Sequence, residues 1–175
     1  GKSLSQVASE VAINLYPETP KLNNELINRA KPSGAAVGAR KKLMHAMVKN
    51  YFVKNLAIEG TPPEMAMYKS CLDHQHLHCI GEDGDHEFVM PTVDDKATKQ
   101  KQKQQQQVII LWNEAIALIK NKSPDGVVNL QEILELWSEK PFGLTAGLIP
   151  IWTLALLLSQ TDNLAFYDKD VTNRY

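Results

Sequence analysis

The sequence has little cysteine, few aromatic residues and almost no net charge. Two cysteines in 175 residues exclude a disulfide framework. An aromatic content of 7% disfavours an all-β sandwich or barrel, whose cores are rich in such residues. A formal net charge of −1 excludes both a uniformly basic nucleic-acid binder and a uniformly acidic tail.

Long apolar runs are also missing. The most apolar stretch, residues 144–158, is interrupted by Pro150 and is too short to span a membrane, so it predicts a core helix. The first residues carry no apolar segment of the kind found in signal peptides. We therefore expect a cytoplasmic protein. We also expect a fragment, with Gly1 as a tag remnant and the last strand unfinished.

The near-zero net charge conceals four blocks of alternating sign. Residues 1–54 carry nine basic and three acidic side chains, a net charge of +6, and residues 55–95 carry one and nine, a net charge of −8. Residues 96–122 carry six and one, a net charge of +5, whereas residues 123–175 carry three and seven, a net charge of −4. Such segregation indicates structural units with different surfaces.

Apolar spacing predicts several helices in the first two thirds of the chain. Leu4, Val7, Val11 and Leu15 recur at helical spacing, and Pro17 ends that helix. Further helices are predicted over 24–29, over 34–52 with Ser33 as N-cap, and over 62–72 behind a capping box formed by Thr61 and Glu64. A short strand is expected over 86–90. The Lys/Gln-rich residues 96–107 run into an apolar stripe and predict one long helix, solvated in its first half.

The last third of the chain has the element order of a winged helix-turn-helix. An extended stretch at 127–128 precedes a helix capped by Asn129 and Glu132; an apolar helix over 145–158 and a strand over 163–167 follow. The sequence thus predicts a mainly α fold with little β structure. We divide it into a helical unit over 1–95, a Lys/Gln-rich long helix over 96–122, and a truncated winged-helix-like unit over 123–175.

A cluster of zinc-ligand residue types follows the predicted helix 62–72. Its members are Cys71, His74, His76, His78 and Cys79. Thiolate and imidazole are the ligands that zinc prefers, and three histidines at every second position would share one face of an extended segment. The spacing matches no common zinc motif, however, so the alternative is a histidine-rich connector that needs no metal.

A basic surface is the second candidate site. The residues with the right charge are Arg29, Arg40, Lys41, Lys42 and Lys49, which would contact phosphates. The predicted second helix of the helix-turn-helix has no Arg, Lys or Asn to reach base edges, and it lies in a block of net charge −4. We therefore expect backbone binding by the basic unit rather than groove reading, with a solvated helix face as the alternative.

No catalytic motif is evident. Gly1-Lys2-Ser3 imitates the end of a phosphate-binding loop, but the upstream glycine that the motif requires is missing from this sequence. Cys79 beside His78 has no recognisable triad partner by spacing, so a structural thiol is the simpler interpretation. Short helices, small residues at 34–39 and segregated charges favour a protein–protein docking module.

Several motifs occur in an order that resembles a known group of proteins. These are Tyr-Pro-Glu-Thr-Pro at 16–20, Asn-Glu-Leu-Ile-Asn-Arg at 24–29, Ser-Gly-Ala-Ala at 33–36, Ile-Glu-Gly-Thr-Pro-Pro-Glu at 58–64, and Pro-Phe-Gly-Leu at 141–144. The order resembles the region downstream of the ATPase core in large bacterial P-loop ATP-binding proteins, of the sort found beside restriction and phage-defence genes. The resemblance covers most of the chain except the Lys/Gln stretch.

The resemblance implies an accessory role. Proteins of this group carry their nucleotide chemistry in an upstream P-loop domain, so no catalytic residue is transferred to this chain. We therefore expect a non-catalytic domain of a larger ATPase that acts in interdomain or protein–protein docking. Nucleic-acid backbone binding is the alternative function, and a zinc-binding module is the third.

Overall fold

The computed structural model describes residues 3–29, 31–122 and 129–161. Within these ranges the chain is mainly helical, as predicted. The helices are α1 (Leu4–Leu15), α2 (Glu25–Asn28), α3 (Gly34–Lys49), α4 (Pro63–Tyr68), α5 (Lys99–Asn121), α6 (Leu130–Ser138) and α7 (Ile149–Leu158). One antiparallel hairpin pairs β1 (His78–Ile80) with β2 (His86–Phe88), so that Cys79 faces Glu87.

Side-chain caps fix the starts of several helices. The Ser33 hydroxyl accepts a hydrogen bond from the Ala36 amide, and Asn129 and Glu132 form a reciprocal capping box, so both predicted caps are confirmed. The capping box predicted at Thr61 is wrong. Pro62 occupies the N-cap position and α4 begins at Pro63, which places Glu64 one residue short of the capping position.

The apolar helix also begins later than predicted, at Ile149 rather than Thr145. The Thr145 hydroxyl donates to the Ile27 carbonyl at 2.7 Å, which commits it to a tertiary contact rather than to a cap. Pro150 then lies in the first turn of α7, where its missing amide costs no helical hydrogen bond. The helix predicted over 34–52 ends at Lys49.

Helix α7 is the centre of the core. Residues Ile151, Trp152 and Leu156 are fully buried, and the helix contacts α3, α6, β2 and the π-helical turn Lys69–Asp73 that follows α4. A helix that is apolar on all sides belongs in a core, as predicted for this stretch. No helix in the described part of the chain is both long enough and apolar enough to cross a membrane.

One hydrophobic core includes residues from all three predicted segments, from Leu22 to Leu156. The predicted boundary at 95/96 falls in the loop before α5, and that at 122/123 falls where α5 ends. The division into units stays a prediction. The extended stretches predicted at 127–128 and 163–167, on which the winged-helix interpretation depends, lie outside the described residues.

Three tryptophans form a cluster inside this core. The Trp112 ring centroid lies 5.6 Å from that of Trp137 and 5.6 Å from that of Trp152, and all three side chains are fully buried. The Trp137 indole donates to the Leu111 carbonyl at 3.0 Å, and the Trp152 indole donates to the Cys71 carbonyl at 2.9 Å. Among the described residues, the Trp112 indole nitrogen has no hydrogen-bond partner.

This difference in hydrogen bonding predicts that replacement of the three tryptophans by phenylalanine lowers the free energy of unfolding by unequal amounts. Trp137→Phe and Trp152→Phe each remove volume and a buried indole hydrogen bond, so we expect each to lower the free energy of unfolding by about 2–3 kcal/mol. Trp112→Phe removes similar volume together with an indole nitrogen that has no partner among the described residues, and we expect a loss of about 1 kcal/mol. Urea unfolding of the three variants measures the order, and an equal or larger loss for Trp112→Phe contradicts it.

Candidate functional site

The predicted zinc-ligand residues lie around the hairpin. A groove of about 470 Å³, the histidine groove, opens between the end of the π-helical turn, the hairpin and one side chain of α5. Its lining comprises Asp73, His74, His76, His78, Cys79, Ile80, His86 and Lys101. The structure thus brings four of the five predicted residues to one place, together with His86, which the sequence analysis did not select.

The fifth residue, Cys71, does not line the groove. It is fully buried in the π-helical turn, with its thiol 3.6 Å from the Ser70 hydroxyl. The three histidines also do not share one extended face, because the strand begins only at His78 and His76 has a left-handed φ of 55°. His74 and His76 are exposed in the segment between the π-helical turn and β1, whereas the His78 side chain is buried.

His78 is held from both sides of its ring. It is 2% exposed, and its Nε2 lies 2.6 Å from the Tyr51 carbonyl, which can only accept, so Nε2 carries the proton. Its Nδ1 lies 2.9 Å from the Tyr68 hydroxyl and accepts from it. Burial lowers the pKa of His78 below 6.5, against the opposing effect of its bond to Tyr51. The neutral ring therefore has both nitrogens satisfied.

Metal-ligand geometry is not formed here. Across the parts of the chain that the structure describes, no three His, Cys, Asp or Glu side chains are arranged to hold a metal ion. His78 would have to give up a hydrogen bond to act as a ligand. Zinc binding at this cluster stays a prediction from the sequence.

Neither thiol is activated as a nucleophile. Burial raises the pKa of the Cys71 thiol to about 12. Burial and the facing Glu87 carboxylate raise the pKa of the Cys79 thiol as well. A reactive cysteine requires the opposite shift, so both thiols have the properties of structural residues.

The predicted basic residues are divided between internal contacts and solvent. Arg40 is half-buried and its Nη1 donates to the Ala146 carbonyl at 3.1 Å, which joins α3 to the turn before α7. Lys42 Nζ lies 3.7 Å from Glu64 Oε1, and Arg29 Nη2 lies 3.7 Å from Glu25 Oε2. Lys41 and Lys49 are exposed on α3. Of the five predicted residues, Lys41 and Lys49 therefore face solvent. Within the described chain their side chains contact no carboxylate or carbonyl group.

Two exposed aromatic rings follow directly after α3. Tyr51 and Phe52 are 49% and 48% exposed, and their rings meet edge to face with centroids 5.4 Å apart. The hairpin fixes the backbone beneath them, because His78 binds the Tyr51 carbonyl and the His86 amide donates to the Phe52 carbonyl at 3.0 Å. We call these two residues the aromatic pair. A Tyr-Phe dipeptide just past the last basic turn of a helix was the available sequence signal.

A strained turn follows the aromatic pair along the chain. Asn55, Leu56 and Ala57 all adopt left-handed backbone conformations, with φ of 54°, 55° and 56°. This conformation costs non-glycine residues roughly 1 kcal/mol each. The full burial of Leu56 and a hydrogen bond of 3.1 Å from the Asn50 side chain to the Leu56 carbonyl offset that cost.

Helix α1 presents a further unexpected surface. Leu4, Val7, Val11 and Leu15 are 87%, 43%, 51% and 42% exposed, although their spacing places them on one face. We call these four residues the α1 stripe. The sequence correctly predicts the helix, but its apolar face does not join the described core.

Comparisons with known proteins find no relationship to set beside this geometry: no family model, no curated protein and no solved structure matches the chain. The resemblance described from the sequence motifs therefore stays an expectation.

The buried neutral His78 predicts a pH-dependent stability. Its folded pKa lies below 6.5, so its contribution is fully present above pH 6.5 and is lost as pH falls through the folded pKa. We expect His78→Gln to lower the melting temperature at pH 8 and to reduce the further fall on going to pH 5. His74→Gln, on the exposed turn, is the matched control. A His78→Gln variant that loses as much stability on acidification as the parent contradicts this role.

Proposed function

We propose that this chain is a non-catalytic docking domain of a larger bacterial ATP-binding protein of the restriction and phage-defence type. In this proposal the α1 stripe is the contact surface, and its partner is an apolar helical face or groove on another domain of the same protein. The exposed α1 stripe is the observation that carries the proposal. The motif order described from the sequence supplies the identity of the partner.

The chemistry of α1 specifies the kind of partner it fits. Four large apolar residues follow one another at three- and four-residue spacing along 12 residues of helix, which is the pattern of a helix that binds in a groove. Glu10 is the one charged residue between Leu4 and Leu15. Because the helix offers so little charge, its partner surface is apolar rather than oppositely charged.

The arrangement of the cations supports docking over nucleic-acid binding. Arg40 is half-buried and contributes to the packing between α3 and the turn before α7, so it contributes less to phosphate binding. Lys42 lies 3.7 Å from the Glu64 carboxylate, which partly neutralises its charge although the lysine side chain is 73% exposed. The raised pKa values of Cys71 and Cys79 are in keeping with a non-catalytic role.

One substitution in α1 tests the docking surface, and a second substitution in the same helix serves as its control. Val11→Glu places a charge in the middle of the α1 stripe, and burial of that charge against an apolar partner is unfavourable. We expect it to weaken association with the P-loop portion of the parent protein by more than tenfold, measured by titration calorimetry of the two purified parts.

Gln6→Glu is the matched control for this measurement. Gln6 lies on the opposite side of α1 and caps the helix with Ser3, through bonds of 2.8 Å and 3.3 Å that a glutamate can also form. We expect unchanged affinity. Equal binding by the Val11→Glu and parent chains, or no association of the parent chain, removes the proposal. Self-association that Val11→Glu abolishes would instead assign the α1 stripe to a second copy.

Nucleic-acid backbone binding is a second candidate, favoured by one specific observation. Lys41 and Lys49 remain exposed on α3, and the aromatic pair follows within three residues of Lys49. Ammonium groups beside exposed rings are the elements of single-strand binding surfaces, where bases stack and phosphates pair.

A salt series tests this candidate. Lys41→Ala combined with Lys49→Ala removes two phosphate contacts, so we expect weaker binding to single-stranded DNA and a salt slope shallower by about 1.4. Lys99→Ala combined with Lys120→Ala, both exposed on α5, removes equal charge elsewhere and serves as control. Undetectable binding of the parent chain at low salt, or an equal effect of both pairs, rejects the candidate.

A further inference from the structure

A second concave surface lies away from the histidine groove and the α1 stripe. It occupies about 730 Å³ where the loop after α1, the first half of α5 and the turn before α7 meet, and we call it the amide pocket. This volume lies within the range of small-molecule sites in proteins. Neither the zinc-ligand cluster nor the basic residues of α3 contribute to it.

One wall of the amide pocket is built by the Lys/Gln-rich part of α5. Gln100, Lys103, Gln104 and Gln107 line it, and their spacing of three and four residues places them on one helical face. Gln105 points the other way and is buried, with its side-chain oxygen accepting from the Asp94 amide at 3.0 Å. The Lys/Gln-rich segment, whose sequence predicts a solvated helix, therefore has one face on which amide side chains line the pocket.

The opposite wall is held in place by hydrogen bonds. The Glu18 amide donates to the Pro141 carbonyl at 3.2 Å, and the Thr19 hydroxyl donates to the Phe142 carbonyl. The Gln107 amide donates to the Pro17 carbonyl at 3.2 Å, which ties this loop to α5. Gly143, with φ of 59°, leaves room for the Tyr16 ring, which a Cβ at that position would displace. These contacts hold the loop after α1 against α5 and against the turn before α7.

The charge and polarity of the lining indicate what the amide pocket takes. Lys21 and Lys103 are its cations, and no acidic residue lines it in the described part of the chain. Its apolar side is formed by Leu22, Leu144 and Leu148, which are 8%, 5% and 3% exposed. Ammonium groups from the loop after α1 and from α5, together with buried leucines, match a ligand with an anionic end and an apolar body.

We propose that the amide pocket binds a small organic anion that carries an apolar or aromatic body. Lys21 and Lys103 pair with its carboxylate or phosphate, the glutamines of α5 donate to its polar atoms, and the leucines pack against its body. This site is independent of the docking function proposed above, since it uses none of the α1 stripe.

Two fluorescent probes of matched shape test the proposal. 1-Anilinonaphthalene-8-sulfonate carries an anionic group, and N-phenyl-1-naphthylamine has the same aromatic system without it. We expect the anionic probe to bind the parent chain at least about tenfold more tightly, with an affinity that falls as salt rises. Equal affinity for the two probes overturns the proposal.

Variants locate the bound probe. Lys21→Gln combined with Lys103→Gln is expected to weaken the anionic probe by about tenfold and to leave the neutral one unchanged. Lys101→Gln, two residues away on the histidine-groove side of α5, is the matched control, and Val11→Glu excludes binding at α1. If either control weakens the anionic probe as much as the double variant, the site is elsewhere and the proposal fails.

Displacement then identifies the anionic group. Phenyl phosphate and phenylacetate present a phosphate and a carboxylate on the same small ring. Displacement of the bound probe at lower concentration by the first identifies a phosphate ligand, and by the second a carboxylate ligand. If neither displaces the probe, the amide pocket does not take the carboxylate or phosphate ligand proposed for it, and the proposal is overturned.

Discussion

The burial of α7 is the constraint on which the rest of the structure depends, with six of its ten residues buried and the other four half-buried. Because this helix is apolar on all sides, every neighbouring element has to present an apolar face to it, and α3, α6, β2 and the π-helical turn do so. The Trp152 indole extends this constraint to the polar side of the core, since its bond to the Cys71 carbonyl fixes the π-helical turn. The histidine groove begins where that turn ends.

Most of the helical architecture could be predicted from the sequence because its signals are local. Caps at Ser33 and Asn129, prolines after helices and apolar spacing determine α1, α3, α5 and α6 within a few residues. The errors lie at two helix starts, those of α4 and α7. Consecutive prolines at 62 and 63 allow two helix starts, and α4 takes the second of them, with Pro62 as its N-cap.

The candidate sites were less predictable, because each depends on contacts across the chain. The spacing of the histidines indicated possible zinc ligands. It could not show that the Tyr51 carbonyl and the Tyr68 hydroxyl are hydrogen-bonded to the two ring nitrogens of His78. It indicated a basic α3, but not that Arg40 contacts the Ala146 carbonyl more than a hundred residues away. The amide pocket is formed by three segments that are distant in the sequence, and one of them is the low-complexity Lys/Gln stretch. No local sequence pattern therefore predicts this pocket.

The way the hairpin holds the aromatic pair has a consequence for how this surface can change. His78 and the His86 amide bind the carbonyl groups of Tyr51 and Phe52, not their rings, so the fold constrains the backbone and leaves the side chains unspecified. Substitutions at positions 51 and 52 therefore leave both of these backbone hydrogen bonds in place. The backbone scaffold of this surface and its exposed rings are separable, so the rings can be exchanged while the hairpin still holds the chain beneath them.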